Sequence, residues 1–91
     1  MPRLNHESLN EQRKKVGGKW KPMIMMVLYT KPERFNRIKY RLPGISPKIL
    51  SNCLKELEED GIILKSNQYE LTEKATKIVA LMLQIKSILD D

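Results

Sequence analysis

The chain has 91 residues, with 17 lysine and arginine side chains against 11 acidic ones, which gives a net charge of +6. This length predicts one small domain, residues 1–91, whose core is marginal by itself, and a single cysteine excludes an internal disulfide. No long apolar run and no signal-peptide pattern is present, which predicts a cytoplasmic protein. No histidine–cysteine cluster is present, and we predict no metal and no cofactor. A second copy of the chain is then the common source of added stability.

Charge is unevenly distributed along the chain. Residues 1–48 hold 12 Lys or Arg and 3 Asp or Glu, a net +9, whereas residues 49–91 hold 5 and 8, a net −3. A surface that faces phosphates needs a basic front half of this kind, although an anionic membrane or an acidic protein would also suit it. No basic amphipathic helix with exposed bulky apolar residues accompanies the charge, so the membrane alternative ranks low.

The front of the chain predicts two helices. Residues 1–17 form a polar segment in which a weakly anchored helix is predicted over Glu7–Val16. From Lys19 to Thr30 the chain is apolar, and this stretch predicts a buried helix that starts near Pro22 and stops before Pro32.

The next stretch predicts a short extended piece at Pro32–Phe35 and then a brief helix. Phe35, Ile38 and Leu42 would face inward on this helix. Four basic side chains would line its outside: Arg34, Arg37, Lys39 and Arg41. Pro43-Gly44 then turns the chain into the following helix, which gives a helix-turn-helix pattern.

The stretch from Gly44 to Gly61 predicts the helix around which the chain is organised. Ser46 is placed to cap it and Gly61 to end it. Five residues recur on one buried stripe: Ile49, Leu50, Cys53, Leu54 and Leu57. The first turns of the outer face carry donors and cations: Lys48, Ser51, Asn52 and Lys55. The last turns carry acids: Glu56, Glu58, Glu59 and Asp60.

This polarity has two interpretations. A helix with one acidic end can enter a DNA groove by its N-terminal half only, because phosphates would repel the other half. Taken alone, the same pattern also fits an ordinary amphipathic core helix with a solvated face.

After Gly61 the apolar residues recur at every second position, as in a strand. Four residues fall on one face if Ser66-Asn67 is a two-residue turn: Ile62, Leu64, Tyr69 and Leu71. The result would be a small hairpin wing with Lys65, Ser66 and Asn67 at its tip.

Thr72 is placed to cap a final helix that runs to about Leu89. Its apolar residues cover more of the helix circumference than one domain face needs, so we expect a second copy to cover the surplus. The predicted dimer interface consists of Ile78, Leu81, Met82, Ile85, Ile88 and Leu89.

The order of these elements predicts a winged helix-turn-helix that is mainly α with a small β-hairpin wing (α+β). Its core would span 19–71, followed by a C-terminal dimerisation helix over 72–91. Five ordered strings resemble the HxlR-type (MarR-like) winged-helix transcription regulators: Gly17-Gly18-Lys19-Trp20, Arg34-Phe35-Asn36-Arg37-Ile38, Leu42-Pro43-Gly44-Ile45-Ser46, Leu54-Lys55-Glu56-Leu57-Glu58 with Asp60-Gly61, and Tyr69-Glu70-Leu71-Thr72.

The resemblance implies a homodimeric regulator that binds double-stranded DNA. The helix matching Ser46–Glu59 would lie in the major groove, the wing would touch the neighbouring backbone, and terminal helices would build the dimer. Many members of the family sense oxidants through a cysteine before the first string, and Glu7 stands at that position here.

Residue chemistry predicts how the DNA is read. Lys48, Ser51 and Asn52 would reach base edges, since Lys can read guanine, Asn can pair with adenine and Ser can serve either. Contacts to the phosphate backbone are predicted for Arg34, Arg37, Ser46, Lys55, Lys65, Ser66 and Asn67. A homodimer would place two such helices on an inverted-repeat operator.

Two other classes of function compete with this prediction. A winged helix can serve as a protein–protein interaction module within a larger transcription or replication assembly, and the acidic Glu56–Asp60 stretch and the short wing permit that. An enzyme is the weakest alternative, because no paired Ser/His/Asp set, metal-spaced His/Cys set or Gly-rich phosphate loop is present.

Overall fold

The computed structural model describes residues 18–90 of the chain. Within them the elements follow in the order α1 (Trp20–Thr30), α2 (Phe35–Arg41), α3 (Pro47–Glu59), β1 (Ile63–Lys65), β2 (Tyr69–Leu71) and α4 (Glu73–Asp90). Four helices and one antiparallel hairpin in this part of the chain confirm the predicted winged helix-turn-helix, mainly α with a small wing. The helix predicted over Glu7–Val16 lies outside the described residues.

Helix α1 is the central element of the core. It buries Ile24, Val27 and Leu28 and packs against α3, α4 and the hairpin. The helix begins at Trp20, earlier than the predicted start near Pro22, because a proline is tolerated in the first turn, where the N–H groups have no intrahelical partner. It ends before Pro32, as predicted.

The helix-turn-helix is shaped by a tight turn between α2 and α3. The Ile45 N–H donates to the Leu42 carbonyl at 3.2 Å, and Gly44 has φ +97°. Proline at the second position and a positive-φ glycine at the third are the features of a type II turn. The Ser46 hydroxyl then accepts the Ile49 N–H at 3.1 Å, which confirms the predicted cap of α3.

The far end of α3 stops as the sequence predicts. Gly61 has φ +76°, and its N–H donates to the Glu58 carbonyl at 3.1 Å. The Ile62 N–H donates to the Leu57 carbonyl at 2.9 Å. Together these two bonds form a Schellman motif, in which a residue with positive φ closes the helix.

The hairpin differs from the prediction by one residue in register. The strand pairs are Ile63 with Leu71, Leu64 with Glu70, and Lys65 with Tyr69. The connection is therefore three residues, Ser66–Gln68, and the predicted two-residue turn at Ser66-Asn67 is wrong. Because side chains alternate along a strand, this shift turns Ile63 into the core, fully buried, and leaves Leu64 54% exposed, which contradicts the predicted inward Leu64.

A third extended segment joins the hairpin at its edge. The Glu33 N–H donates to the Tyr69 carbonyl at 3.0 Å, and the Tyr69 N–H donates back to the Glu33 carbonyl at 2.8 Å. The predicted extended piece is confirmed up to Arg34, while Phe35 is already the first residue of α2. The bridge ties the start of the helix-turn-helix to the wing.

Helix α4 begins where predicted, and its cap residue Thr72 is hydrogen-bonded to the segment just ahead of β1. The Thr72 hydroxyl accepts the Ala75 N–H at 3.2 Å and donates to the Gly61 carbonyl at 2.9 Å. Ala75 and Val79 are its buried residues. Among residues 18–90, no helix has the length and apolar character needed to span a bilayer.

Candidate nucleic-acid interface

The N-terminal half of α3 offers an exposed polar ridge. Lys48, Ser51, Asn52 and Lys55 are all exposed and follow one another at helical spacing. The opposite side of the same helix buries Leu50, Cys53, Leu54 and Leu57. The unsatisfied amides and the helix dipole add positive potential at this end. The structure therefore places the three predicted base-reading side chains together on an accessible surface.

The acidic end of α3 is more than a solvated face. Glu58, Glu59 and Asp60 are exposed, but the Glu56 carboxylate accepts a hydrogen bond from Lys21 Nζ at 2.6 Å. This partly buried pair joins α3 to α1. Sequence reasoning missed it because the two residues stand 35 positions apart in the chain and no local pattern links them.

The basic residues of α2 divide between two sides of the helix. Arg37 and Arg41 are exposed and one turn apart, so they share a face. Lys39 lies on a different side and is half-buried. The Arg37 guanidinium carbon lies 5.2 Å from the centre of the Tyr40 ring, and Tyr40 is 73% exposed. Tyr40 was absent from the sequence-derived site, although its position three residues after Arg37 could have indicated this contact.

The wing tip is exposed, as predicted for Lys65, Ser66 and Asn67. The Ser66 N–H donates to the Gln68 carbonyl at 3.0 Å, which keeps the connection tight. Lys65 Nζ lies 5.6 Å from the centre of the Tyr69 ring, its cross-strand partner. The aromatic ring thus restrains a cation at the end of the hairpin.

Cys53 lies on the buried stripe of α3, as its spacing predicts. Burial raises the pKa of its thiol; the nearby Lys21 lowers it and Glu56 raises it. A protonated, inaccessible thiol is a poor nucleophile, so the geometry favours a packing role for this residue. The described residues hold no group of three or more His, Cys, Asp or Glu side chains suited to a metal ion.

An exposed apolar face runs along α4. Ile78, Leu81, Ile85 and Ile88 follow a 3-4-3 spacing, the pattern of positions a and d in a heptad. Met82 and Leu89 widen the same face. Exposure rises from 41% at Ile78 to 78% at Leu89, so the six predicted interface residues are accessible in the isolated chain.

Comparison with known proteins assigns the chain to a family. The family model of the HxlR-like helix-turn-helix matches residues 15–91. The chain belongs to the HxlR family. The resemblance predicted from the five ordered strings is confirmed, and so is the assignment as a DNA-binding transcription regulator rather than an enzyme. The interaction-module alternative is not favoured.

Individual relatives of this HxlR-family regulator agree. It is 34% identical over 76 residues to the regulatory protein MalR of Fusobacterium mortiferum, covering 74% of this chain and 72% of MalR. It is 34% identical over 83 residues to the HTH-type transcriptional regulator YodB of Bacillus subtilis, covering 82% of this chain and 74% of YodB. The crystal structure of quinone-bound YodB superposes with a TM-score of 0.74 at 33% identity, covering 92% of this chain and 97% of YodB.

Proposed function

We propose that this HxlR-family regulator acts as a homodimer on an inverted-repeat operator, with α3 of each copy in the major groove. The observation that carries the proposal is the division of α3 into a buried stripe and an exposed, donor-rich N-terminal half. A recognition helix needs this division, because its base-reading residues must protrude while the helix stays anchored. The cytoplasmic setting predicted from the sequence follows, since a regulator shares a compartment with its DNA.

Lys48, Ser51 and Asn52 are proposed to read base edges. Their exposure on successive turns supports this, because side chains at that spacing meet neighbouring base pairs along the groove. The Ser46 cap holds the first turn of α3 in place, so the ridge is ordered before DNA arrives.

Flanking basic and neutral polar side chains are proposed to set register by contacting phosphates. These residues are Arg34 just ahead of α2 and Arg37 on it, the α3 cap Ser46 and Lys55 on α3, and Lys65, Ser66 and Asn67 on the wing. Three different elements contribute to the set, and such a distribution suits a duplex whose backbone passes on both sides of the groove. The net +9 of residues 1–48 supports the same surface.

The second copy is proposed to pack on α4. Four aliphatic side chains at heptad spacing are what a helix presents when it pairs with its own equivalent. Within the described part of the chain this face is exposed, and its six residues make a continuous apolar stripe along α4. The twofold axis between two α4 helices would relate the two α3 ridges.

Salt titration tests the DNA-binding part of the proposal. A random-sequence duplex, long enough for two half-sites, is titrated with protein at several salt concentrations. We expect affinity to fall linearly in log–log coordinates, with a slope of about −0.9 per phosphate neutralised. Weak binding without a slope would contradict the proposal and favour an interaction module.

A further inference from the structure

We infer that Arg41 is a further phosphate-binding residue of this regulator and that the buried carboxylate of Glu33 positions its guanidinium. The inference rests on the proposed function and extends it to two residues outside the site predicted from the sequence.

The placement of Arg41 is the first argument. It is the last residue of α2, one turn beyond Arg37 on the same face, and it directly precedes the turn into α3. With Arg34 just ahead of α2, the helix carries arginines at spacings of three and four residues, all exposed. A row of guanidinium groups along the first helix of a helix-turn-helix suits one strand of the DNA backbone.

Glu33 is unusual in this basic region because it is buried. Only 6% of the residue is exposed, and its Oε2 accepts a hydrogen bond from Arg41 Nη1 at 3.3 Å. Its backbone is fixed on both sides by the two hydrogen bonds to Tyr69. The carboxylate therefore belongs to a rigid part of the fold, and a buried carboxylate needs a paired cation.

Arg41 keeps binding capacity after this contact. Its side chain is 35% exposed, and a guanidinium has five N–H donors in a planar fork. The contact with Glu33 engages Nη1, and the exposed part of the fork can meet a phosphate. An arginine that is already held in place loses less conformational freedom on binding than a mobile surface arginine does.

Whether the loss of the Glu33 charge raises or lowers the affinity for DNA distinguishes a positioning role from a simple charge effect. Removing a negative charge from a DNA-binding surface should strengthen binding on electrostatic grounds alone. If Glu33 positions Arg41, Glu33→Gln should weaken binding, because the neutral amide holds the guanidinium less firmly. The backbone bridge to Tyr69 is kept in this variant.

The experiment is a double-substitution cycle on the full chain with the random-sequence duplex. We expect Arg41→Gln to bind about tenfold more weakly, with a salt slope smaller by about 1.8, because a dimer loses two phosphate contacts at about 0.9 each. Glu33→Gln should bind several-fold more weakly, yet add no further loss when Arg41→Gln is already present. Arg41→Lys should keep the slope and lose part of the affinity, since it retains charge without the fork.

Lys74→Gln is the charge-matched control. Lys74 is exposed in the first turn of α4. That turn starts beside Gly61, at the acidic end of α3. Because α3 has 13 residues, its acidic end lies about 20 Å from Ser46 at the other end. It should bind like the parent. Thermal unfolding of each variant shows whether the fold is kept, and Arg41→Lys covers the case in which Arg41→Gln unfolds.

Three results would overturn the inference while leaving the proposed function intact. If Arg41→Gln kept the parental salt slope, Arg41 would make no phosphate contact. If Glu33→Gln bound DNA more tightly, or weakened binding equally with and without Arg41, Glu33 would not position Arg41. A parent protein that binds no duplex in a salt-dependent way would instead refute the proposed function itself.

Discussion

Lys48 and Asn52 stand one turn apart at the N-terminal end of α3, and both are exposed. We expect Lys48→Ala or Asn52→Ala to cost about 1–3 kcal/mol of binding free energy and to relax specificity at one base position, because each side chain would lose its pairing with one base edge. The measurement is affinity for a panel of duplexes that differ from the preferred site at one position each.

Arg37→Ala is the matched comparison for these two variants. A phosphate contact carries no direct sequence information, so its loss should weaken every duplex alike and reduce the salt slope by about 1.8, about 0.9 for each copy of the dimer. If Lys48→Ala and Asn52→Ala kept the parental base preference while Arg37→Ala changed it, the roles assigned to the two groups would be reversed.

Cys53 offers a second test at this scale. Burial raises the pKa of its thiol and also blocks access to it, and only the thiolate is a strong nucleophile. We expect iodoacetamide at pH 8 to alkylate Cys53 slowly in the folded protein and fast in urea. Mass spectrometry measures the alkylated fraction over time. Rapid modification of the native chain would show that the stripe of α3 opens readily.

At the scale of single elements, the end of α3 depends on backbone conformation. Gly61 has φ +76°, and a Cβ added there would meet no atom within 4 Å. We therefore expect Gly61→Ala to lower the free energy of unfolding by roughly 1 kcal/mol through backbone strain alone. Gly61→Asn should cost less, because asparagine tolerates this region better. Equal stability of all three proteins in urea denaturation would contradict the strain argument.

The elements that the sequence predicts well are those with local signals. Ser46 starts α3, Gly61 ends it and Thr72 starts α4, each through a bond to a residue a few positions away. Helical spacing likewise places Lys48, Ser51 and Asn52 on the exposed side. These features depend on chain neighbours, so the pattern of residue types is enough to find them.

The features that sequence reasoning missed depend on distant pairs. The wing register is the exception, because the three-residue connection that accompanies it is local. The bridge between Tyr69 and Glu33, by contrast, ties the wing to the segment ahead of α2. The contact between Lys21 and Glu56 joins α1 to α3 across 35 positions of the chain. No residue pattern within a short window records such contacts.

For the whole molecule, the apolar face of α4 decides whether two sites act together. We expect Leu81→Glu or Ile85→Glu to give a folded monomer, because a charge at the centre of a helix pair is left buried and unpaired. Molecular mass in solution should halve and affinity for duplex DNA should fall, since two half-sites are no longer bound by one particle.

Leu64→Glu is the control for that experiment. Leu64 is 54% exposed, close to the 58% of Leu81 and the 57% of Ile85, but it lies on the outer face of the wing. It should leave the molecular mass unchanged. A dimer that survived Leu81→Glu and Ile85→Glu together would place the interface on another surface.

Selection of bound fragments from random DNA tests the central claim most directly. If two α3 ridges are joined through α4, the recovered fragments share an inverted repeat. Its half-site centres lie about 34–36 Å apart, which is one helical turn of about 10–10.5 base pairs, or a multiple of that distance. Recovery of a single asymmetric site, or of fragments with no shared sequence, would contradict the account.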